Sequence, residues 1–123
     1  YARNYINERE QFGTTIASLQ GPQWMMADEY TQLEASRLIL MNAAYLKQSG
    51  QPFAKAASMA KVHATETANQ ACYTAVQLMG GVGYSQECPL ERYTRDVRVT
   101  AIYEGTSEVQ RVIIARELLR EIQ

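Results

Sequence analysis

The chain has 123 residues, 46% hydrophobic and 20% charged, with a formal charge of -1 at neutral pH, which is enough apolar material for one core and too little for two domains. Lysines and arginines are scattered among the acidic residues, so there is no basic stripe for nucleic acid and no cationic amphipathic helix for a membrane. Cys72 and Cys88 form no C-x-x-C pattern and His63 is the single histidine, so no metal site or disulfide framework is indicated and a reducing compartment is expected.

The first predicted element is a helix over about residues 1 to 11, ending at Gln11-Phe12-Gly13-Thr14-Thr15, where Gly13 would supply a left-handed C-terminal turn. These first residues lack the n-region and h-region of a signal peptide and begin without methionine or cap, so a segment of a longer polypeptide is expected. A long helix follows from about Ser18 to Gln48, with Pro22 in its first turns and Tyr30, Leu33, Leu38, Met41 and Tyr45 recurring at helical spacing on a face to be buried. Ser49-Gly50-Gln51-Pro52 is a turn signal that folds the next helix back antiparallel. That helix, over residues 54 to 79, carries a stripe of small side chains through Ala57, Ala64, Ala68, Ala71 and Ala75 to Leu78, which allows close helix packing.

Gly80-Gly81-Val82-Gly83-Tyr84 is predicted to break the helix completely, with Pro89 in the irregular stretch after it and a short helix from Leu90 to Val97. The last helix, Ser107 to Ile122, is apolar around much of its circumference through Val109, Val112, Ile113, Ile114, Leu118 and Leu119, and is expected to be covered on more than one side. β-branched alternation is confined to Val97 to Ile102, so no strand is predicted. The fold class is all-α, an up-and-down four-helix bundle, as a single domain over residues 1–123 without repeats or linkers.

Five groups of residues admit a chemical or a structural role. In Ile102-Tyr103-Glu104-Gly105-Thr106-Ser107-Glu108, a carboxylate follows two apolar residues on a short loop; partial desolvation there would raise its pKa toward neutrality, as a general base requires. Gly105 admits close approach to the backbone, and Ser107 with Gln110 fits a capping box that would start the last helix. An ordinary exposed helix N-terminus has the same local pattern. Gly80-Gly81-Val82-Gly83 follows a helix and matches neither dinucleotide nor P-loop spacing; it reads as a helix C-cap or, with Gln77, as a set of amides able to hold a polar cofactor tail. Arg9 and Phe12 place a guanidinium and a ring near a helix end, suited to pyrophosphate and purine. His63 reads as a core or surface histidine, and Arg92, Arg95 and Asp96 as a structural ion-pair network.

The ordered blocks Glu8-Arg9-Glu10-Gln11-Phe12-Gly13, Gln77-Leu78-Met79-Gly80-Gly81-Val82-Gly83-Tyr84, Glu91-Arg92-Tyr93-Thr94-Arg95-Asp96 and Ile102 through Arg111 resemble the carboxy-terminal helical domain of acyl-CoA dehydrogenases, nearest to the short-chain, straight-chain branch. The resemblance covers essentially the whole chain. It implies a three-domain flavoprotein whose amino-terminal helical and middle β-domains lie outside this chain, so the chain alone would not be a competent enzyme. The implied reaction is α,β-dehydrogenation of a fatty acyl-CoA thioester to the trans-2-enoyl-CoA, with Glu104 removing the α-proton while a hydride passes to FAD. The backbone N–H of Glu104 would help to hold the thioester oxygen. Tyr103 and Gly105 match substrate-contacting positions, and Thr106, Ser107 and Glu108 match flavin contacts at a helix N-terminus. Arg9, Phe12, Gln20, Gln77, Leu78, Met79, Gly80 and Gly81 match positions toward the adenosine-diphosphate part of FAD, largely that of a neighbouring subunit. A homodimer or tetramer is therefore implied, with an electron-transfer flavoprotein as acceptor and the bacterial cytoplasm or mitochondrial matrix as location. A glutamate at position 104 argues against the branch that carries its base upstream. A non-catalytic assembly module of the same fold and an acyl-CoA oxidase are the alternatives.

Overall fold

The computed structural model describes residues 1–122. Its organising element is the alanine-rich helix α3 (Ala54–Met79), reached from the long helix α2 (Gln20–Gln48) through a tight turn. At that turn Ser49 Oγ donates to the carbonyls of Tyr45 and Leu46, at 2.9 and 3.2 Å, and satisfies groups the helix end leaves without partners. The short helix α1 (Ala2–Glu8) and the helix α5 (Leu90–Arg98) pack on the second half of α3, and the last helix α6 (Ser107–Arg120) packs on its first half. Lys55 pairs with Glu121 and Glu66 with Arg111, so α6 runs antiparallel to α3, as α2 does. The result is an all-α up-and-down bundle centred on α3.

Two small clusters make the core. Ala2, Ile6, Leu78, Met79, Cys88 and Leu90 join α1, α3 and α5, while Ala43, Ala56 and Ala60 seat α2 on α3. Alanine at the second contact lets the backbones approach closely and leaves little apolar area to bury. The expected burial of the Tyr30, Leu33, Leu38, Met41 and Tyr45 face does not occur: all five are exposed, Tyr30 at 67% and Met41 at 58%. The last helix departs from expectation in the same way, with Val109, Val112, Leu118 and Leu119 exposed. Helical periodicity marks which side chains want cover, and α3 covers only one side of each neighbour.

Several boundaries also differ from those predicted. Helix α1 stops at Glu8, where Arg9 turns extended (φ -76°, ψ 124°). The following residues form a minimal antiparallel hairpin, β1 (Glu10–Gln11) with β2 (Thr14–Thr15), although no strand was predicted. Phe12 and Gly13 make its two-residue turn, both at positive φ (55° and 78°), so Gly13 serves a hairpin and not a helix end. A 3-10 turn over Ile16–Ser18 then leads into α2. The glycine run does not abolish helix altogether: after Gly80 (φ 58°) one turn reforms as α4 (Gly81–Tyr84). The β-branched stretch from Val97 is helical, passing from α5 into a 3-10 turn over Val99–Ala101. The predicted Arg92–Arg95–Asp96 network is replaced by a single pair of Arg95 with Glu91 at 3.2 Å, while Arg92 lies 5.7 Å from the Tyr93 ring centroid. Among the described residues Asp96 forms no ion pair.

Candidate functional site

The loop between the 3-10 turn and α6 holds its residues in unusual backbone conformations. Glu104 has φ 52° and Gly105 has φ 88°. A left-handed conformation costs an L-residue roughly 1–2 kcal/mol, so Glu104 is held there by its surroundings. Gln110 supplies part of the hold, its Nε2 donating long hydrogen bonds of 3.4 Å to the carbonyls of Glu104 and of Gly105. A Cβ at position 105 would stand 2.6 Å from that nitrogen, so φ favours a glycine here and any side chain would also displace the Gln110 amide.

The predicted capping box is displaced by one residue. Thr106, not Ser107, is the N-cap of α6, its Oγ1 accepting from the Val109 N–H at 3.3 Å. Gln110 turns back to the loop carbonyls instead of closing a box. Ser107 is the first helical residue, 4% exposed, and its buried hydroxyl has no partner among the described residues. The Glu108 carboxyl is held below the usual glutamate range, first by its own backbone N–H and then by the Thr106 hydroxyl, with smaller contributions from Arg111 and Arg98. That ordering reflects the positive end of a helix.

Tyr103 and Glu104 stand at the edge of a groove of about 450 Å³, floored by Ala43 of α2 and by Ala57, Ala60, Ala64 and Ala68 of α3. The predicted small-residue stripe therefore has two functions. Ala75 and Leu78 pack in the core as expected, whereas Ala57, Ala64 and Ala68 leave open space. Glu104 itself is exposed, so the expected desolvation is not provided by residues 1–122.

The residues expected to meet the cofactor fall into two clusters. Thr106, Ser107 and Glu108 lie at the N-terminus of α6, where Ser107 and Glu108 face Asn69 and Gln70 of α3 across a cleft of about 420 Å³. Arg9 caps α1, Phe12 is 92% exposed at the hairpin tip, and Gln20 opens α2. Gln77, Gly80 and Gly81 are exposed at the other end of α3, near α1. Ten residues of helix separate Gln70 from Gly80, roughly 15 Å. The side chains of Leu78 and Met79 are core members against Ile6 and Leu90, so of these two residues only the backbone is left for a ligand.

Residue patterns missed a row of donors on α3. Lys61 Nζ donates to the Thr100 carbonyl at 2.8 Å, Thr65 Oγ1 to the same oxygen at 3.5 Å, and Asn69 Nδ2 to the Val97 carbonyl at 3.2 Å. The spacing 61, 65, 69 puts the three on one helix face; their acceptors are main-chain atoms, which leave no mark in a sequence. His63 has a structural role, its Nδ1 2.8 Å from Ser36 Oγ of α2 and 3.4 Å from Thr67 Oγ1.

Residues 1–119 match the family model "Acyl-CoA dehydrogenase, C-terminal domain". The acryloyl-CoA reductase (NADH) of Anaerotignum propionicum is 48% identical over 116 residues, covering 94% of this chain and 29% of that protein. The short-chain specific acyl-CoA dehydrogenase of Clostridium acetobutylicum is 47% identical over 119 residues, covering 97% and 31%. A solved structure described as the electron transferring flavoprotein of Acidaminococcus fermentans contains a chain that superposes with a TM-score of 0.94 at 47% identity, over 97% of this chain and 31% of that one. The chain thus spans about a third of the length of the relatives it matches. With its helices, its glycine run and its Glu104 loop in that order, the chain belongs to the acyl-CoA dehydrogenase family, as a carboxy-terminal domain of it.

Proposed function

We propose that this domain completes a flavin-dependent enzyme that dehydrogenates short-chain fatty acyl-CoA thioesters to trans-2-enoyl-CoA, with Glu104 as the base. The observation that carries the reading is a carboxylate held at φ 52° on the edge of an alanine-floored groove of about 450 Å³. Costly backbone geometry persists where the surroundings enforce it, and it concentrates at functional sites. The groove's lining is mostly apolar side chains, which suits an aliphatic chain. Filling it would remove water from Glu104, strengthening its basicity where an α-proton must be taken. The Glu104 carboxylate receives that proton, and its backbone N–H donates to the thioester oxygen as negative charge develops there. Tyr103 lines the same groove, and Gly105, next to Glu104 in the chain, is the second proposed substrate contact.

The residues present fit FAD at both clusters. Ser107 carries a buried hydroxyl without a partner among the described residues, at a helix N-terminus where polar or anionic groups are favoured. Gly80 and Gly81 have nothing within 4 Å of where a Cβ would stand, leaving open approach to their backbone. When bound, FAD supplies the hydride acceptor that the side chains lack. Thr106, Ser107 and Glu108 would hold one part of it, and Arg9, Phe12, Gln20, Gln77, Gly80 and Gly81 another, with the backbone of Leu78 and Met79. The family resemblance assigns the second cluster largely to the cofactor of a neighbouring subunit, which makes the proposed working unit a homodimer or a pair of dimers. The exposed apolar faces of α2 and α6 support such an assembly.

An electron-transfer flavoprotein is the proposed acceptor, supported by the structure of that description containing a similar chain. A relative named acryloyl-CoA reductase favours a second reading, the same residues run in reverse with Glu104 returning a proton to the α-carbon. The test is an anaerobic titration of the complete protein with short and medium straight-chain acyl-CoAs. Bleaching of oxidised flavin absorbance supports dehydrogenation, and the best substrate fixes chain length. Flavin that stays oxidised with every thioester returns the chain to an assembly role, and rapid oxygen uptake by the reduced form points to an oxidase.

A further inference from the structure

We propose that Lys61 is a positioning residue for Glu104, acting with Thr65 and Asn69 as a donor row on α3 that fixes where the base-bearing loop begins. The inference rests on the proposed role of Glu104 as the base.

Lys61 is half-buried on the groove wall between Ala57, Ala60 and Ala64. An ammonium in such surroundings needs a partner, and its partner is the Thr100 carbonyl at 2.8 Å rather than a carboxylate. Thr65 Oγ1 reaches the same oxygen at 3.5 Å, and one turn further along Asn69 Nδ2 bridges the Val97 carbonyl at 3.2 Å and the Thr65 carbonyl at 2.8 Å. Thr100 Oγ1 itself donates to the Val97 carbonyl at 2.7 Å. The last turns before the loop are thereby fastened to the rigid central helix by side chains one helical turn apart. On the far side, Gln110 Nε2 holds the carbonyls of Glu104 and Gly105, and Thr106 starts α6. The base therefore hangs between two anchors, and its positive φ is the conformation that spans them. A carboxylate that takes a proton from carbon must be held to a fraction of an ångström, and neither Glu104's own exposed side chain nor the groove's methyl groups do this. A charged donor to a carbonyl is the strongest of these anchors, so Lys61 is the member whose loss should be felt most.

The test uses the complete flavin-loaded protein and the variants Lys61→Met, which keeps the aliphatic stem, and Lys61→Arg, which keeps a donor. Two measurements are made on each: amide hydrogen exchange over residues 99–106, and the rate and half-saturation of flavin reduction by butyryl-CoA. Lys61→Met should speed exchange in that segment about tenfold, the scale of losing one charge-assisted hydrogen bond. It should also slow reduction about tenfold or more while half-saturation stays within about twofold, as expected for a displaced base. Lys61→Arg should recover most of both. Exchange equal to wild type overturns the proposal whatever the rates, and faster exchange with an unchanged rate also overturns it, because the anchor then does not position the base. If Lys61→Met does not fold, Asn69→Ala carries the same test at the Val97 end, and wild-type exchange and rate in that variant overturn the proposal. Failure of Glu104 as the base is read separately, from turnover retained by Glu104→Gln, and leaves the exchange result standing.

Discussion

Gly105→Ala should damage the loop through two separable effects. The backbone there has φ 88°, and placing an alanine in the left-handed region costs roughly 1–2 kcal/mol. Its Cβ would stand 2.6 Å from Gln110 Nε2, so the amide must leave, giving up its two 3.4 Å hydrogen bonds to the loop; at that length they are worth together about 1 kcal/mol. The smaller conformational freedom of alanine in the unfolded chain returns about 0.4–1 kcal/mol. The net loss is about 2 kcal/mol by this accounting. Urea unfolding of the complete protein, followed by flavin release, would show it as a lower midpoint with unchanged slope. The two effects separate in a double-variant cycle with Gln110→Ala: once the amide is gone, Gly105→Ala should cost only the backbone part, about 1 kcal/mol, so the costs should be non-additive by about 1 kcal/mol. Fully additive costs, or a Gly105→Ala protein as stable as wild type, would refute the claim that Gln110 and the missing side chain shape this loop together.

Ser107→Ala removes a buried hydroxyl that has no partner among the described residues, so apo-protein stability should hold or rise slightly while FAD is released more readily from the holo-protein; equal FAD affinity in the two proteins would rule out the hydroxyl as a flavin contact. Arg9→Ala should lower flavin content more than it slows chemistry in the flavin-bound fraction, and unchanged flavin content would count against the adenosine-diphosphate assignment. The Glu108 carboxyl has a folded-state pKa below its ordinary value, so its stabilising contribution is present above the ordinary glutamate range and fades as pH falls through the lower folded-state value. Unfolding curves of wild type and Glu108→Gln should therefore differ near neutrality and converge in acid; a gap that widens on acidification would reverse the sign.

The long helices were legible because their signals are long. Alanine-rich spacing and the turn signal after Gln48 fixed α3 at Ala54–Met79 as expected. The hairpin at Glu10–Thr15 was not legible, since two-residue strands are too short to show alternation. At the start of α6 two adjacent residues, Thr106 and Ser107, both suit an N-cap, and what decides between them is the extended backbone of Thr106 (φ -58°, ψ 161°). Burial was misread on α2 and α6 because periodicity identifies an apolar face without identifying its cover. Of the site, the position of Glu104 and the glycine after it could be read in the sequence, whereas the exposure of the carboxylate and the burial of Leu78 and Met79 could not. The Lys61 anchor was hidden for a different reason: Ala57, Ala64 and Ala68 dominate that helix face as a pattern, and the acceptor is a main-chain oxygen.

The most direct measurement is the rate of flavin reduction by butyryl-CoA in the complete protein carrying Glu104→Gln, with flavin content measured in parallel. The substitution keeps size and shape and removes the proton acceptor from the loop. The account predicts normal flavin content and a rate lower by several orders of magnitude, as when an essential base is lost. A flavin-loaded Glu104→Gln protein that is reduced at nearly the wild-type rate would contradict it, and the base would then have to be sought outside this loop.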